Sequence, residues 1–130
     1  MGFAARLRSA IAGDKIEIPY AFTDLYPELA DASYRRGGLP VRIAGWALGA
    51  STAEAITLWR TVFIEPRAPL TAELLLHELR HVHQFSERKS FPLSYLWQSI
   101  RHGYSHNAYE IDARQYSANR LAQNAPDKDF

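Results

Sequence analysis

The chain has no cysteine. That excludes disulfides and any metal site built on thiolate, and it says nothing about compartment. It has no excess of charge: 15 Lys and Arg stand against 14 Asp and Glu, so the overall balance makes no case for nucleic acid or an anionic membrane as a partner. No apolar run approaches the roughly 18 residues a spanning helix needs, so no membrane span is expected. The start, Met1-Gly2-Phe3-Ala4-Ala5-Arg6-Leu7-Arg8, carries arginines where a signal peptide would be apolar. No export signal is read there, and a cytoplasmic location is the expectation. Internal repeats and low-complexity segments are also missing.

What is present is apolar and aromatic. At 47% apolar and 12% aromatic over 130 residues, the chain is globular and long enough for a core. We read one domain over residues 1–130, with a flexible tail from about residue 124. Phe3 to Ile11 patterns as a short amphipathic helix closed by Gly13. Lys15 to Tyr20 alternates like a short strand. Asp24 to Arg35 reads as a helix, with Asp24 as its cap and Pro27 in its first turn. Val41 to Leu48 reads as a strand opened by Pro40, and Gly49-Ala50-Ser51-Thr52 as a turn. Ile56 to Ile64 reads as the clearest strand, with Arg60 interrupting its apolar face. The two strands would form an antiparallel pair. Trp46, Trp59 and Trp97 are expected in the core.

The second half is helical. A helix is predicted from about Ala72 to Ser86, N-capped by Thr71, with Glu73 suited to its positive first turn. Phe91-Pro92 should break the chain, Leu93 to Arg101 should form a helix ended by Gly103, and a last helix should run from Ala108 to Gln123. Asn107-Ala108-Tyr109-Glu110 has capping-box spacing, so Glu110 could serve the cap of that helix.

Within the first of these helices stands His77-Glu78-Leu79-Arg80-His81, an H-E-x-x-H string. Residues four apart share a helix face, so His77 and His81 can close on one metal ion. Glu78 lies roughly 100° round the helix, beside the ion's open position. Two imidazoles and a carboxylate base are what a zinc hydrolase needs. Leu75, Leu79 and Val82 should form the buried side, with the histidines facing a cleft.

Two histidines do not complete a catalytic zinc site, which takes three protein ligands. The remaining candidates are His83, His102, His106, Glu110 and Asp112. His83 is about 200° round from His81 and points away. Glu110, on a separate helix, leads, and His102 and His106 follow it. Tyr104, His106 and Tyr109 cluster near Glu110 and are candidates to stabilise an oxyanion; His106 and Tyr109 join Glu78 as the expected catalytic residues.

Two segments together carry a resemblance. His77-Glu78-Leu79-Arg80-His81-Val82-His83-Gln84 resembles the H-E-[LV]-x-H-x-x-Q signature of small bacterial metallopeptidase-like domains of the gluzincin class. Asn107-Ala108-Tyr109-Glu110-Ile111-Asp112-Ala113 resembles the N-x-x-E-x-[ED]-A signature that follows it. The resemblance implies zinc as cofactor, His77, His81 and Glu110 as its ligands, and Glu78 as general base in the attack of zinc-bound water on a peptide bond. It implies a peptide or protein substrate, bound in that class by edge pairing to a strand such as Ile56 to Ile64. It also implies an α+β, zincin-like fold. A small antiparallel sheet would pack on the H-E-x-x-H helix, and a C-terminal helix would carry the third ligand. The chain departs from the class at two positions. Arg114 stands where an Asp orients a zinc histidine, and Ala108 stands where Pro usually follows the Asn. A small chain of this kind is expected to have an open groove, low intrinsic activity, or dependence on a regulatory partner protein. The reading from a different class is a non-catalytic domain that keeps the fold and binds a metal or a partner.

Overall fold

A computed structural model describes residues 2–48 and 54–124, except for the side chains of residues 45–48. The proposed turn at 49–52, the tail beyond 124 and the Trp46 side chain lie outside the described residues. Six helices and a four-stranded sheet are present among them, a mixed α+β structure. The chain divides into two compact units, Met1–Leu70 and Thr71–Phe130.

The first unit contains helix α1 (Phe3–Ala12), strand β1 (Asp14–Ile16), helix α2 (Tyr20–Leu25), a 3-10 turn (Pro27–Asp31) and strand β2 (Ser33–Arg36). Helix α3 (Leu39–Leu48) and strands β3 (Ala55–Leu58) and β4 (Thr61–Ile64) follow. The sheet order is β1-β2-β4-β3. Its outer pairs are antiparallel, but β2 and β4 run parallel, so the expected antiparallel sheet is corrected to a mixed one. A parallel pair cannot be joined by a tight turn and needs a crossover. Helix α3 supplies it and packs on β3 and β4. Tyr34, Val62 and Thr57 lie in one row across the strands, and all three are buried.

Four further sequence expectations are corrected in this unit. The segment Val41 to Leu48 is helix, not strand. Pro40 sits in the first helical turn, where its missing N–H costs nothing. The single strand Ile56 to Ile64 is a hairpin folded at Trp59-Arg60, and its antiparallel partner is its own second half. Trp59 has φ of 54°, the left-handed conformation that two-residue hairpins require and that Asn or Gly usually supplies. Without those residues the sequence carries no turn signal, and Arg60, which interrupts the apolar pattern, marks the bend instead. The helix expected over Asp24 to Arg35 breaks at Tyr26, because Pro27 cannot donate to it. Its C-terminal part becomes β2. Trp59, at the hairpin tip, is 66% exposed, so it is not core.

Gly13 and Gly38, at φ 69° and 97°, bring the end of α1 against the start of α3. A Cβ on Gly13 would lie 2.6 Å from the Arg36 carbonyl oxygen, and one on Gly38 would lie 2.9 Å from the Gly13 nitrogen. Only glycine fits both the conformation and the space.

The second unit is three helices: α4 (Ala72–Glu87), α5 (Phe91–His102) and α6 (Ala108–Gln123), with α4 packed on both others. The predicted ends of the first and last hold closely, because local chemistry sets them. Thr71 Oγ1 accepts from the Leu74 N–H at 3.1 Å, and Asn107 Oδ1 accepts from the Tyr109 N–H at 2.9 Å. Phe91-Pro92 does not break the chain; it is the first turn of α5, a position Pro tolerates. Trp97 is 59% exposed on α5 and is not core either. Leu75, Leu76, Leu79, Val82, Phe91 and Ala113 are the core of this unit. Leu79 has no exposed surface, so Leu79→Ala should cost about 2–5 kcal/mol in a denaturant titration. A cost near zero would mean that the apolar face of α4 is not core. No helix among the described residues is long and apolar enough to cross a membrane.

Candidate metal centre

His77, Glu78 and His81 lie in the middle of α4. Their ligand atoms fall within 4.8 Å of one another, a group that could hold a metal ion. The i to i+4 spacing turns both imidazoles the same way, and their ring centroids are 5.0 Å apart, edge to face.

Glu110, in the first turn of α6, completes the cluster. Its Oε1 lies 2.8 Å from His77 Nε2 and 2.9 Å from His81 Nε2. Its Oε2 accepts from the Tyr95 hydroxyl at 2.5 Å. The capping-box role considered for Glu110 is thereby overturned. The Asn107 N–H, which that role would need, donates to the Tyr104 carbonyl at 3.2 Å, and both carboxylate oxygens of Glu110 face the cluster. Asn107 caps α6 alone while its Nδ2 donates to Tyr95 O and Ser99 Oγ, which pins α5 to the start of α6.

Behind His81 stands Gln84, one helical turn on. Gln84 Nε2 donates to Asp112 Oδ2 at 2.8 Å and to the Tyr109 carbonyl at 3.1 Å. Both partners only accept, so the amide is oriented with its oxygen towards His81, 2.7 Å from Nδ1. His81 Nδ1 therefore carries a proton, and Nε2 is the nitrogen turned to Glu110. Arg80 holds Asp112 in turn, Nε to Oδ2 at 2.6 Å, and pairs with Glu87 at 2.9 Å. Arg114 is turned away from the histidines and donates to the Ser105 carbonyl. Asp112 thus reaches His81 through Gln84.

These contacts shift the ionisable groups. Burial disfavours charge on Glu110. Hydrogen bonds from His77 and His81, the His81 charge and the Tyr95 hydroxyl outweigh that and hold its carboxyl well below the usual range. Burial likewise disfavours charge on His81. The hydrogen bond to Glu110, the charges of Glu78 and Glu110 and the bond to Gln84 prevail and push it up to about 9. The Tyr95 phenol is raised by burial and then by Glu110. Tyr104 is pushed up to about 12, by burial first and then by the charges of Glu110 and Glu78.

The donor set fits a borderline divalent ion. It offers imidazole nitrogen and carboxylate oxygen with no thiolate, the set that zinc hydrolases use. Two imidazole nitrogens gathered around one carboxylate oxygen at hydrogen-bond distance are close enough for all three atoms to share an ion whose ligand bonds are about 2.0–2.1 Å. Replacing Gln84 by Leu frees the His81 ring from its orienting partner. Affinity for a divalent ion held there should fall about 10–100-fold, read by competition with a chromogenic chelator.

The other sequence candidates are more scattered. His83 packs edge-on against Tyr116 of α6 at 5.7 Å. His102 is exposed at the end of α5, and His106 is exposed in the turn before α6. The Tyr109 hydroxyl accepts from Arg88 Nη1 at 2.9 Å, and its ring stands against Phe91. Hydrogen bonds to Glu110 come from His77, His81 and Tyr95, not from His106 or Tyr109. Sequence reading missed two members of the site. Gln84 was present in the motif but had no role until Asp112 was seen beside it, and Tyr95 carried no signal at all.

Comparison with family models, with curated proteins and with solved structures finds no match.

Proposed function

We propose that the chain is a zinc-dependent hydrolase, a metallopeptidase of the gluzincin type. The observation that carries the reading is the convergence of His77 Nε2 and His81 Nε2 on one oxygen of Glu110. These three residues would hold the ion. When bound, zinc supplies Lewis acidity, polarising a carbonyl and lowering the pKa of a coordinated water towards ~7.

The remaining steps belong to the chain. Glu78 is buried beside the two histidines and comes from the same helix as His77. One residue on from His77, it is offset by about 100° round the helix, and in this reading it is the base while Glu110 completes the ligand set. It accepts a proton from water and returns it to the leaving amine nitrogen. Tyr95 anchors Glu110 Oε2 and so aims Oε1. Of the three sequence candidates for the oxyanion, Tyr104 is favoured. Its phenol feels both Glu78 and Glu110 and stays protonated, which makes it a donor. His106 is exposed, and the Tyr109 hydroxyl is already bonded to Arg88. A peptide substrate is supported by the paired signatures around His77 and Glu110.

The test is elemental analysis of untagged protein followed by a peptide-library digest read by mass spectrometry. About one zinc per chain is expected, as is cleavage that stops with a chelator and returns with zinc. Absence of zinc after reconstitution would sink the reading. Bound zinc with no cleavage of any peptide would confine it to metal binding.

A further inference from the structure

Helix α5 has two faces. Tyr95 and Ser99 turn inward, onto Glu110 and Asn107. Leu93, Leu96, Trp97 and Ile100 turn outward as one stripe about 100° wide, and they are 74, 55, 59 and 71% exposed. A contiguous apolar surface of this kind marks an interaction site. The charge along residues 88–109 has one sign. No acidic residue occurs between Glu87 and Glu110, while Arg88, Lys89, Arg101 and His102 are all exposed. The two bounding acids are engaged, Glu87 by Arg80 and Glu110 by the two histidines.

We infer that the outer face of α5 docks on an anionic lipid bilayer surface. Leu93, Trp97 and Ile100 would enter the headgroup–acyl boundary, and Arg88, Lys89 and Arg101 would lie on the headgroups. An apolar stripe bearing Trp and flanked by cations is the composition that binds such an interface. Two features select this occupant. A second copy would bring two cationic rims together, which opposes self-association. A partner helix would need a groove along the stripe, whereas its four apolar side chains stand 55–74% exposed on the helix surface. The hollow beside them, about 310 Å³ between Leu93, Trp97 and Arg88, is at the small end of ligand pockets. It suits one headgroup, not a row of side chains. The even overall balance of 15 to 14 hides this local asymmetry.

The docking has a geometric consequence. Tyr95 reaches Glu110 from the opposite face of the same helix. The His77–His81–Glu110 cluster would then be held about one helix diameter, roughly 10 Å, from the surface. The inference stands whether or not the cluster binds zinc.

Co-sedimentation with vesicles tests it, using the full chain at low ionic strength. Phosphatidylcholine vesicles with and without phosphatidylserine are compared for wild type, Arg88→Gln/Lys89→Gln/Arg101→Gln and Leu93→Ser/Ile100→Ser. All five positions are exposed, and unchanged thermal melts would verify that both variants fold. Wild type should partition onto phosphatidylserine vesicles, and the triple variant should bind about a hundredfold more weakly. The double variant should also lose binding, because the apolar contact is gone. Three outcomes overturn the inference: no sedimentation of wild type with phosphatidylserine vesicles, equal binding by all three proteins, or a wild-type dimer in light scattering that Leu93→Ser/Ile100→Ser dissociates.

Discussion

On the proposed mechanism, Glu78→Gln will cut hydrolysis by about 10²–10⁴-fold and leave the metal in place. The substitution keeps the volume of a residue that is only 6% exposed and removes only its ability to take a proton. General-base catalysis contributes about 10²–10⁴-fold, and kcat/KM on any cleaved peptide should fall by that amount. Zinc content and melting temperature should not change. This pairing of readouts matters because two carboxylates stand beside the histidines. Glu78 shares the close group with His77 and His81, whereas Glu110 makes the direct contacts to both. Loss of zinc in Glu78→Gln would make Glu78 the ligand and reverse the two roles. Full activity with zinc retained would remove the peptidase mechanism.

Glu110→Ala will release the metal and also change how the metal-free protein responds to pH. Loss of a ligand should exceed the roughly 10–100-fold effect of losing a supporting contact, so zinc content should drop from about one per chain to near zero. In metal-free wild type, Glu110 and His81 are an ion pair. The folded pKa of His81 is raised from an ordinary 6.5 to about 9. Its contribution is therefore complete below 6.5 and is lost as pH rises through 9. The folded pKa of Glu110 is depressed from an ordinary 4.5. Its contribution is present above that value and is lost as pH falls below it. Melting temperature without metal should thus peak between about pH 4.5 and 6.5, and the peak should flatten in Glu110→Ala. Zinc needs a neutral imidazole, so uptake at neutral pH expels a proton from His81, and apparent affinity should climb with pH towards about 9. Thermal melts across pH and zinc titrations in two buffers of different ionisation enthalpy would check both statements. A pH-independent affinity would mean that His81 does not ligate.

Helix ends and helix faces were legible in the sequence where a few neighbouring residues decide them. Thr71 and Asn107 cap α4 and α6 through contacts to N–H groups two or three residues away, so the chemistry of the cap is written locally. Leu75, Leu79 and Val82 recur at helical spacing and are buried as expected. The first unit was less legible. Its hairpin turns on Trp59 in a conformation that the local sequence does not announce. The segment 39–48 has residues that suit strand or helix alike, and it is helical where the parallel pair β2–β4 needs a crossover. The even charge count likewise says nothing about the cationic, apolar face of α5, because averaging over the chain erases its sign.

The amino-acid sequence by itself determined that His77 and His81 share a face and that Glu78 lies beside it. Four-residue spacing on a helix imposes this whatever surrounds it. Tertiary structure decided the rest of the site. Glu110 had a cap and a ligand position open to it, and only the packing of α6 on α4 sends its carboxylate to the histidines. Asp112, a ligand candidate by sequence, instead acts through Gln84, a partner on a different helix. Tyr95 has no motif, and it reaches Glu110 because Asn107 ties α5 to the start of α6. Contacts between residues on separate helices depend on how those helices pack, and local spacing does not encode that packing.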